Sequence, residues 1–326
     1  MENNEMFENR IDLSKLKESV DAIKAEIGKV IVGQHKMIEL FLVALLADGH
    51  VLIEGVPGVA KTLSAKLLAR IIKADFSRIQ FTPDLMPSDV LGTSVFNLKD
   101  NSFEFKRGPV FSNLILIDEI NRAPAKTQAA LFEVMEERQV TMDGKTYPME
   151  FPYFVMATQN PIEQEGTYRL PEAQLDRFLF KIGIEYPSQE EEIMILEGHQ
   201  QRKDMLPVDS INPILSSEQL KEYRDAIFNI HVEHDMLNYI ARLVHETRNS
   251  PDIYLGASPR ASIAMLRTAK AYAAIQGRDF ITPEDIKEMT PPILRHRILL
   301  SPEKEMEGFD ADDIIAQVID KIEIPR

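Results

Sequence analysis

Cysteine is absent from all 326 positions. That excludes disulfides, thiolate nucleophiles and thiolate metal ligands, and it suits a cytoplasmic setting. Positive charge is short as well: Lys plus Arg number 37 against 52 Asp plus Glu, a net charge of −15. Such a field repels phosphate backbones at long range and argues against nucleic acid as the partner. Long apolar runs are missing too. The longest, Leu40 to Ala47, is far too short to span a bilayer, and the start MENNEMFENR has neither the basic nor the apolar region of a signal peptide. No internal repeat or low-complexity tract is present. The 44% apolar content is enough for a packed core, and the length suits two domains.

Hydrophobic spacing predicts helices over Leu13 to Val30 and His35 to Ala47, then a short strand at Val51, Leu52 and Ile53. A glycine-rich stretch follows, and helical spacing resumes from Lys61 to Lys73. Further strands are predicted at Ser77 to Phe81, Leu114 to Ile117, Phe154 to Thr158 and Phe178 to Ile184, with a helix over Lys126 to Arg138. Alternation of this kind implies a five-stranded parallel sheet with helices on both faces. Two hairpins interrupt it, near 93–106 and 139–148, the second turning at Asp143-Gly144. After Pro187 strand signals thin out and helix starts multiply. Ser216 with Gln219 forms a capping box, and Ser258-Pro259 and Thr282-Pro283 open further helices. The expected division is an α/β nucleotide-binding domain over 1–188 and an all-helical lid over 189–326.

"EGVPGVAKT" differs by one letter from the phosphate-binding pattern Gly-x4-Gly-Lys-Ser/Thr. Gly55, Val56, Pro57, Gly58, Val59, Ala60, Lys61 and Thr62 form the loop, and Leu63 follows it into the helix. Backbone N–H groups and the positive helix end would receive phosphate, Lys61 would reach the outer phosphates, and Thr62 would lend its hydroxyl to Mg2+. Ala60 replaces the second glycine. If Ala60 already lies in the right-handed helical region its methyl meets no obstacle, so a negative φ is expected there.

A second signal is "LILIDEINRAP", an apolar strand ending in Asp118 and Glu119. Carboxylates at the carboxyl end of a buried strand sit where open α/β sheets bind ligands. Asp118 would hold Mg2+ through water, and Glu119 would polarise an attacking water. Asn160, ending "FVMATQN", would hold that water from the other side. Arg177 follows the short "LPEAQL" helix start, and Arg260 lies in the first turn of the helix opened by Ser258 and Pro259. A cation at a positive helix end points to a nearby anion, be it a ligand or a carboxylate. His231 and His234 form an H-x-x-H pair without the surrounding pattern of a zinc site, and Glu190 to Glu192 read as a solvated helix start.

These pieces, in this order, resemble AAA+ ATPases. The wording "GVPGVAKT", "DEINRAPAKTQAALFEVMEERQV", "ATQNP", "TYRLPEAQLDRF" and "GASPRAS" is similar to the MoxR family in particular, over roughly residues 15 to 320. Ala60 is itself usual in that family. The resemblance implies ATP and Mg2+ as cofactors. It makes Gly55 to Thr62 the Walker A loop, Asp118 and Glu119 Walker B, Asn160 sensor 1 and Arg260 sensor 2. It also makes Arg177 an arginine finger acting on ATP bound by the neighbouring subunit. Val32, Gly33 and Gln34 would pass the adenine, and Gln80 would be the polar residue that toggles Glu119. It further implies a homo-oligomeric ring, usually a hexamer, whose hairpins contact the pore or the substrate protein. Chaperone-like maturation of complexes with von Willebrand A domain partners on separate chains is implied as well. A magnesium-chelatase-like motor subunit, or a nucleotide-gated scaffold that hydrolyses negligibly, are the alternatives the residues leave open.

Overall fold

The computed structural model describes residues 11–325 apart from 57, 100, 161–167, 169 and 203–206. Five strands form one parallel sheet: β1 (Val51–Gly55), β2 (Phe76–Gln80), β5 (Leu114–Asp118), β8 (Phe154–Gln159) and β9 (Phe180–Ile184). Their spatial order is β2-β5-β8-β1-β9. The three central strands, β5, β8 and β1, are buried on both faces because apolar residues occupy both of their parities, while the edge strands β2 and β9 are only partly covered. On β5, Leu114 and Leu116 enter one core and Ile115 and Ile117 the other. On β8, Phe154 and Met156 divide from Val155 and Ala157 in the same way.

Helices α1 (Ser14–Gly28), α2 (His35–Leu46) and α3 (Lys61–Ile71) supply the first core, with the C-terminal helices packed around them. The second core lies under α4 (Pro87–Leu91) and α5 (Ala125–Glu137). Both predicted hairpins form: β3 (Gly92–Asn97) with β4 (Ser102–Arg107), and β6 (Gln139–Met142) with β7 (Lys145–Pro148). A one-turn helix α6 (Glu172–Leu175) precedes β9. Among the described residues no helix is long and apolar enough to cross a membrane.

The C-terminal part comprises α7 (Gln189–Arg202), α8 (Ser217–Phe228), α9 (His234–Asn249), α10 (Pro259–Ile275), α11 (Pro283–Leu294), α12 (Pro302–Met306) and α13 (Ala311–Lys321). The sequence suggested an all-helical lid; the part is predominantly helical, with a short pair of strands besides. Ile253–Leu255 pairs antiparallel with Leu299–Leu300 as β10 and β11, so each stretch partners backbone groups left outside the helices. The predicted capping box forms, with the Ser216 hydroxyl accepting from Gln219 N–H and the Gln219 side chain accepting from Ser216 N–H at 2.9 Å.

Candidate functional site

Four neighbouring strands end on one edge of the sheet. In spatial order they deliver Gln80 from β2, Asp118 and Glu119 from β5, Asn160 from just past β8, and the loop after Gly55 from β1. Register fixes the line, since Gln80 stands opposite Asp118 and Glu54 opposite Gln159. Residues 38 (Gln80 and Asp118) to 105 (Glu54 and Gln159) positions apart in sequence become neighbours because parallel strands all point their carboxyl ends the same way.

The loop does not have the conformation expected at Ala60. Its φ is +60°, in the left-handed region, so the predicted negative φ is wrong. Ala60 is the last residue before helix α3 rather than the first within it, and its carbonyl accepts from Ser64 N–H at 2.9 Å. The chain must turn back on itself there to start the helix, and the methyl bears about 1–2 kcal/mol of strain. Gly58, with φ +88°, uses the freedom only glycine has. Gly55 is needed for another reason: a Cβ there would come 2.8 Å from the Ile184 carbonyl of β9. Val59 is buried, while Val56, Ala60 and Leu63 pack partly against the first core and anchor the loop. Pro57 lies outside the described residues.

Lys61 Nζ donates to the Gly55 carbonyl at 2.6 Å. Burial draws its ammonium below the usual lysine range, while Asp118 and Glu119 pull the other way. Asp118, 8% exposed, accepts from Arg78 Nε at 2.6 Å on Oδ2 and from the Thr158 hydroxyl at 3.2 Å on Oδ1. That hydroxyl also accepts from Glu119 N–H at 3.0 Å, so Thr158 links the two acids. Glu119 has φ +58°, a strained conformation held by its surroundings. Its Oε2 accepts from Gln80 Nε2 at 2.9 Å and pairs with Arg122 at 3.0 Å.

Arg78, Thr158 and Arg122 were not singled out from the sequence. Arg78 and Gln80 had a signal, lying two apart on β2 and therefore on one side of it. An oxygen-only set of the Thr62 hydroxyl and Asp118 carboxylate suits Mg2+, and the ordered Asp118 with its hydrogen-bonded oxygens has the support a ligating carboxylate needs. Val32 is half-buried; Gly33 and Gln34 follow with φ +69° and +54°, and Gln34 Nε2 donates to the carbonyl of Glu185, just past the carboxyl end of β9, at 3.2 Å.

Arg177 and Arg260 are elsewhere. Arg177 precedes β9, next to the amino end of β1, and its Nη1 donates to the Phe132 carbonyl at 2.5 Å. Arg260 pairs with Glu136 at 3.2 Å, the carboxylate that meets a cation in this first helical turn. Both line a cavity of about 390 Å³ with Asp48, His50, Arg138 and Arg267. Five-residue strands separate this edge from the phosphate loop by about 16 Å. The His231 ring pairs with Glu233 at 2.9 Å, and among the described residues no group of three His, Asp or Glu could hold a metal ion.

Comparison with known proteins matches residues 50–180 to the model of the ATPase family associated with various cellular activities (AAA) and residues 245–318 to the AAA lid domain. The uncharacterized protein YeaC of Bacillus subtilis is 46% identical over 92% of both chains. Chaperone MoxR1 of Mycobacterium tuberculosis is 44% identical over 92% of this chain and 81% of its own. A solved structure of a candidate ATPase from Cytophaga hutchinsonii superposes with TM-score 0.87 at 45% identity, over 96% of each chain. With the phosphate loop, the paired acids and the sheet order that brings them together, these likenesses make the chain a member of the MoxR family of AAA+ ATPases.

Proposed function

We propose that the protein hydrolyses ATP at a site completed by a second copy of itself, and uses the cycle to remodel or mature partner protein complexes. The observation that carries this is the separation of parts. The phosphate loop, Asp118, Glu119 and Asn160 share one sheet edge, while Arg177 and Arg260 occupy the other. One protomer cannot bring both sets to one phosphate, but head-to-tail neighbours can, and head-to-tail contacts that close make rings.

In this reading residues 1–188 bind nucleotide and 189–326 form the lid. Backbone N–H groups of the loop and the amino end of α3 receive the phosphates, and Lys61 adds a cation. Val32 to Gln34 border the adenine. Thr62 and Asp118 would hold Mg2+, which would supply positive charge against the phosphates. Glu119 accepts the proton of the attacking water, Asn160 orients it, and Gln80 sets which way the Glu119 carboxylate turns. Arg177 and Arg260 of the neighbour stabilise negative charge developing on the phosphoryl oxygens. Support for a chaperone role comes from the relative named Chaperone MoxR1. A von Willebrand A domain protein is the kind of partner proposed, in the cytoplasm and without nucleic acid.

Phosphate release measured across protein concentrations tests the reading. Turnover per protomer should rise steeply as the protein assembles; turnover independent of concentration in particles shown to stay monomeric would refute it. Affinity capture with Glu119→Gln in ATP should retain the client.

A further inference from the structure

Helix α7 buries nothing among its described residues. Ile193, Met194, Ile195 and Leu196 stand 49%, 55%, 40% and 69% exposed, and Tyr186 just before them 68%. A helix of this length is marginal in water without a packed face. Four successive large apolar side chains in solvent mark a docking surface.

Its position says what docks. The Glu191 carboxylate in its first turn lies against Gly33, so closely that a Cβ there would collide with it. α7 therefore borders the nucleotide edge, which the proposed function joins to a second copy. The copy's opposite edge presents a matching face. Arg260, Ile263 and Arg267 on α10 are spaced i, i+3, i+7 and line the same cavity, with Ile263 58% exposed. Glu190 and Glu192, both exposed ahead of the apolar run, would meet a face on which Arg260 and Arg267 flank Ile263, in a chain otherwise strongly acidic.

We propose that the side of α7 carrying Ile193 and Leu196, three residues apart, packs in one protomer on the Arg260–Ile263–Arg267 face of the next, sealing the joint that carries Arg260 towards the neighbouring ATP. This rests on the proposed shared site. It adds the contact that closes it, an apolar centre with a charged rim as stable interfaces have.

The absence of native cysteine makes a clean test. Leu196→Cys combined with Ile263→Cys should yield covalent dimers and longer ladders on mild oxidation of the assembled protein, and neither single variant should. Separately, Ile193→Glu with Leu196→Glu should weaken self-association by roughly 30-fold or more in sedimentation. Binding of a fluorescent ATP analogue and the thermal midpoint of the protomer should stay unchanged, since these side chains already face water. Assembled protein with Arg177-dependent turnover but no cross-link overturns this contact and leaves the shared site standing. So does normal assembly of the double glutamate variant, including the case where it loses only client capture. Full turnover by a monomer with Arg177 dispensable overturns both.

Discussion

Replacing Arg177 with alanine separates two geometries by orders of magnitude. Within one protomer Arg177 lies about 16 Å from the phosphate loop along the sheet. A unit charge at that distance in water contributes about 0.3 kcal/mol before salt screening, under about twofold in rate. An arginine delivered in contact by a neighbour is worth roughly 10³–10⁵, or about 4–7 kcal/mol. Arg177→Ala should therefore lower turnover at least a thousandfold while each protomer still binds ATP. The side chain is bound to the Phe132 carbonyl at the protein surface, so a small drop in thermal midpoint is also expected. Mixing gives the stricter assay. In rings containing Arg177→Ala and Glu119→Gln protomers, some joints pair an intact Glu119 with an intact Arg177. Phosphate release should then recover partially, following the statistics of mixing. A turnover loss under tenfold for Arg177→Ala, or no recovery in rings shown by mass to be mixed, would refute the shared site.

Lys61→Ala should abolish binding of a fluorescent ATP analogue, whereas Glu119→Gln should retain binding and lose phosphate release; retained binding in the first would dismiss the loop assignment. Ala60→Gly should raise the thermal midpoint or leave it unchanged with ATP binding intact, because relief of about 1–2 kcal/mol of left-handed strain offsets glycine's extra unfolded-state entropy; a drop of several degrees would mean the strain is absent. Burial holds His50 and His296 well below the usual histidine range, with Arg138 and Arg297 beside them adding to the effect. The unfolded chain takes up protons below about pH 6.5 that the folded chain refuses, so stability is complete above that pH and falls as pH drops, by about 1.4 kcal/mol per pH unit for each histidine. Thermal midpoints should decline from pH 6.5 to 5.5, and His50→Gln should flatten part of the decline; a slope unchanged by that substitution would assign the loss to carboxylates.

The sheet was legible because its central strands β1, β5 and β8 are short apolar runs bounded by polar residues, and the phosphate loop and acid pair because their residue types sit at fixed strand ends. The hydrogen bond between Gln80 and Glu119 followed from the family resemblance rather than from any local pattern. What sequence could not give was the edge on which a distant residue falls. Arg177 and Arg260 were assigned roles, but their place at the amino edge depends on β9 running parallel to β1 and on how α10 packs. Ala60 was misjudged for a local reason: helix spacing does not distinguish the first helical residue from the turn before it, and the sign of φ reverses between them. Thr158 and Arg78 look ordinary in a strand until register sets them against Asp118. In α7 the acidic turn was noticed and the apolar run behind it was not. Four consecutive apolar residues carry no helical periodicity, so only their exposure sets them apart.

The arginine edge is also where the C-terminal helices are pinned to the α/β body. Arg138 from the end of α5, Arg224 from α8 and Arg267 from α10 converge on the carboxyl end of α2, where unpaired carbonyls and a negative helix end attract cations. Arg224 donates to the Leu45 carbonyl at 2.9 Å and pairs with Asp48 at 2.8 Å; Arg138 meets Asp48 at 3.3 Å; Arg267 donates to the Ala47 and Asp48 carbonyls. Burial pulls Arg224 and Arg267 below the usual arginine range and Asp48 pulls them back, so the carboxylate is what lets three cations share the site. Arg267 stands two helical turns along α10 from Arg260. The helix that carries Arg260 is thus tied to the same body that carries Arg177, and the two arginines are presented as a unit. At the other edge α7 buries none of its described residues. An arginine that acts across a joint must be placed to within a fraction of an ångström to matter. A firmly mounted donor edge facing an acceptor edge that still needs its covering is the division of labour such a joint requires.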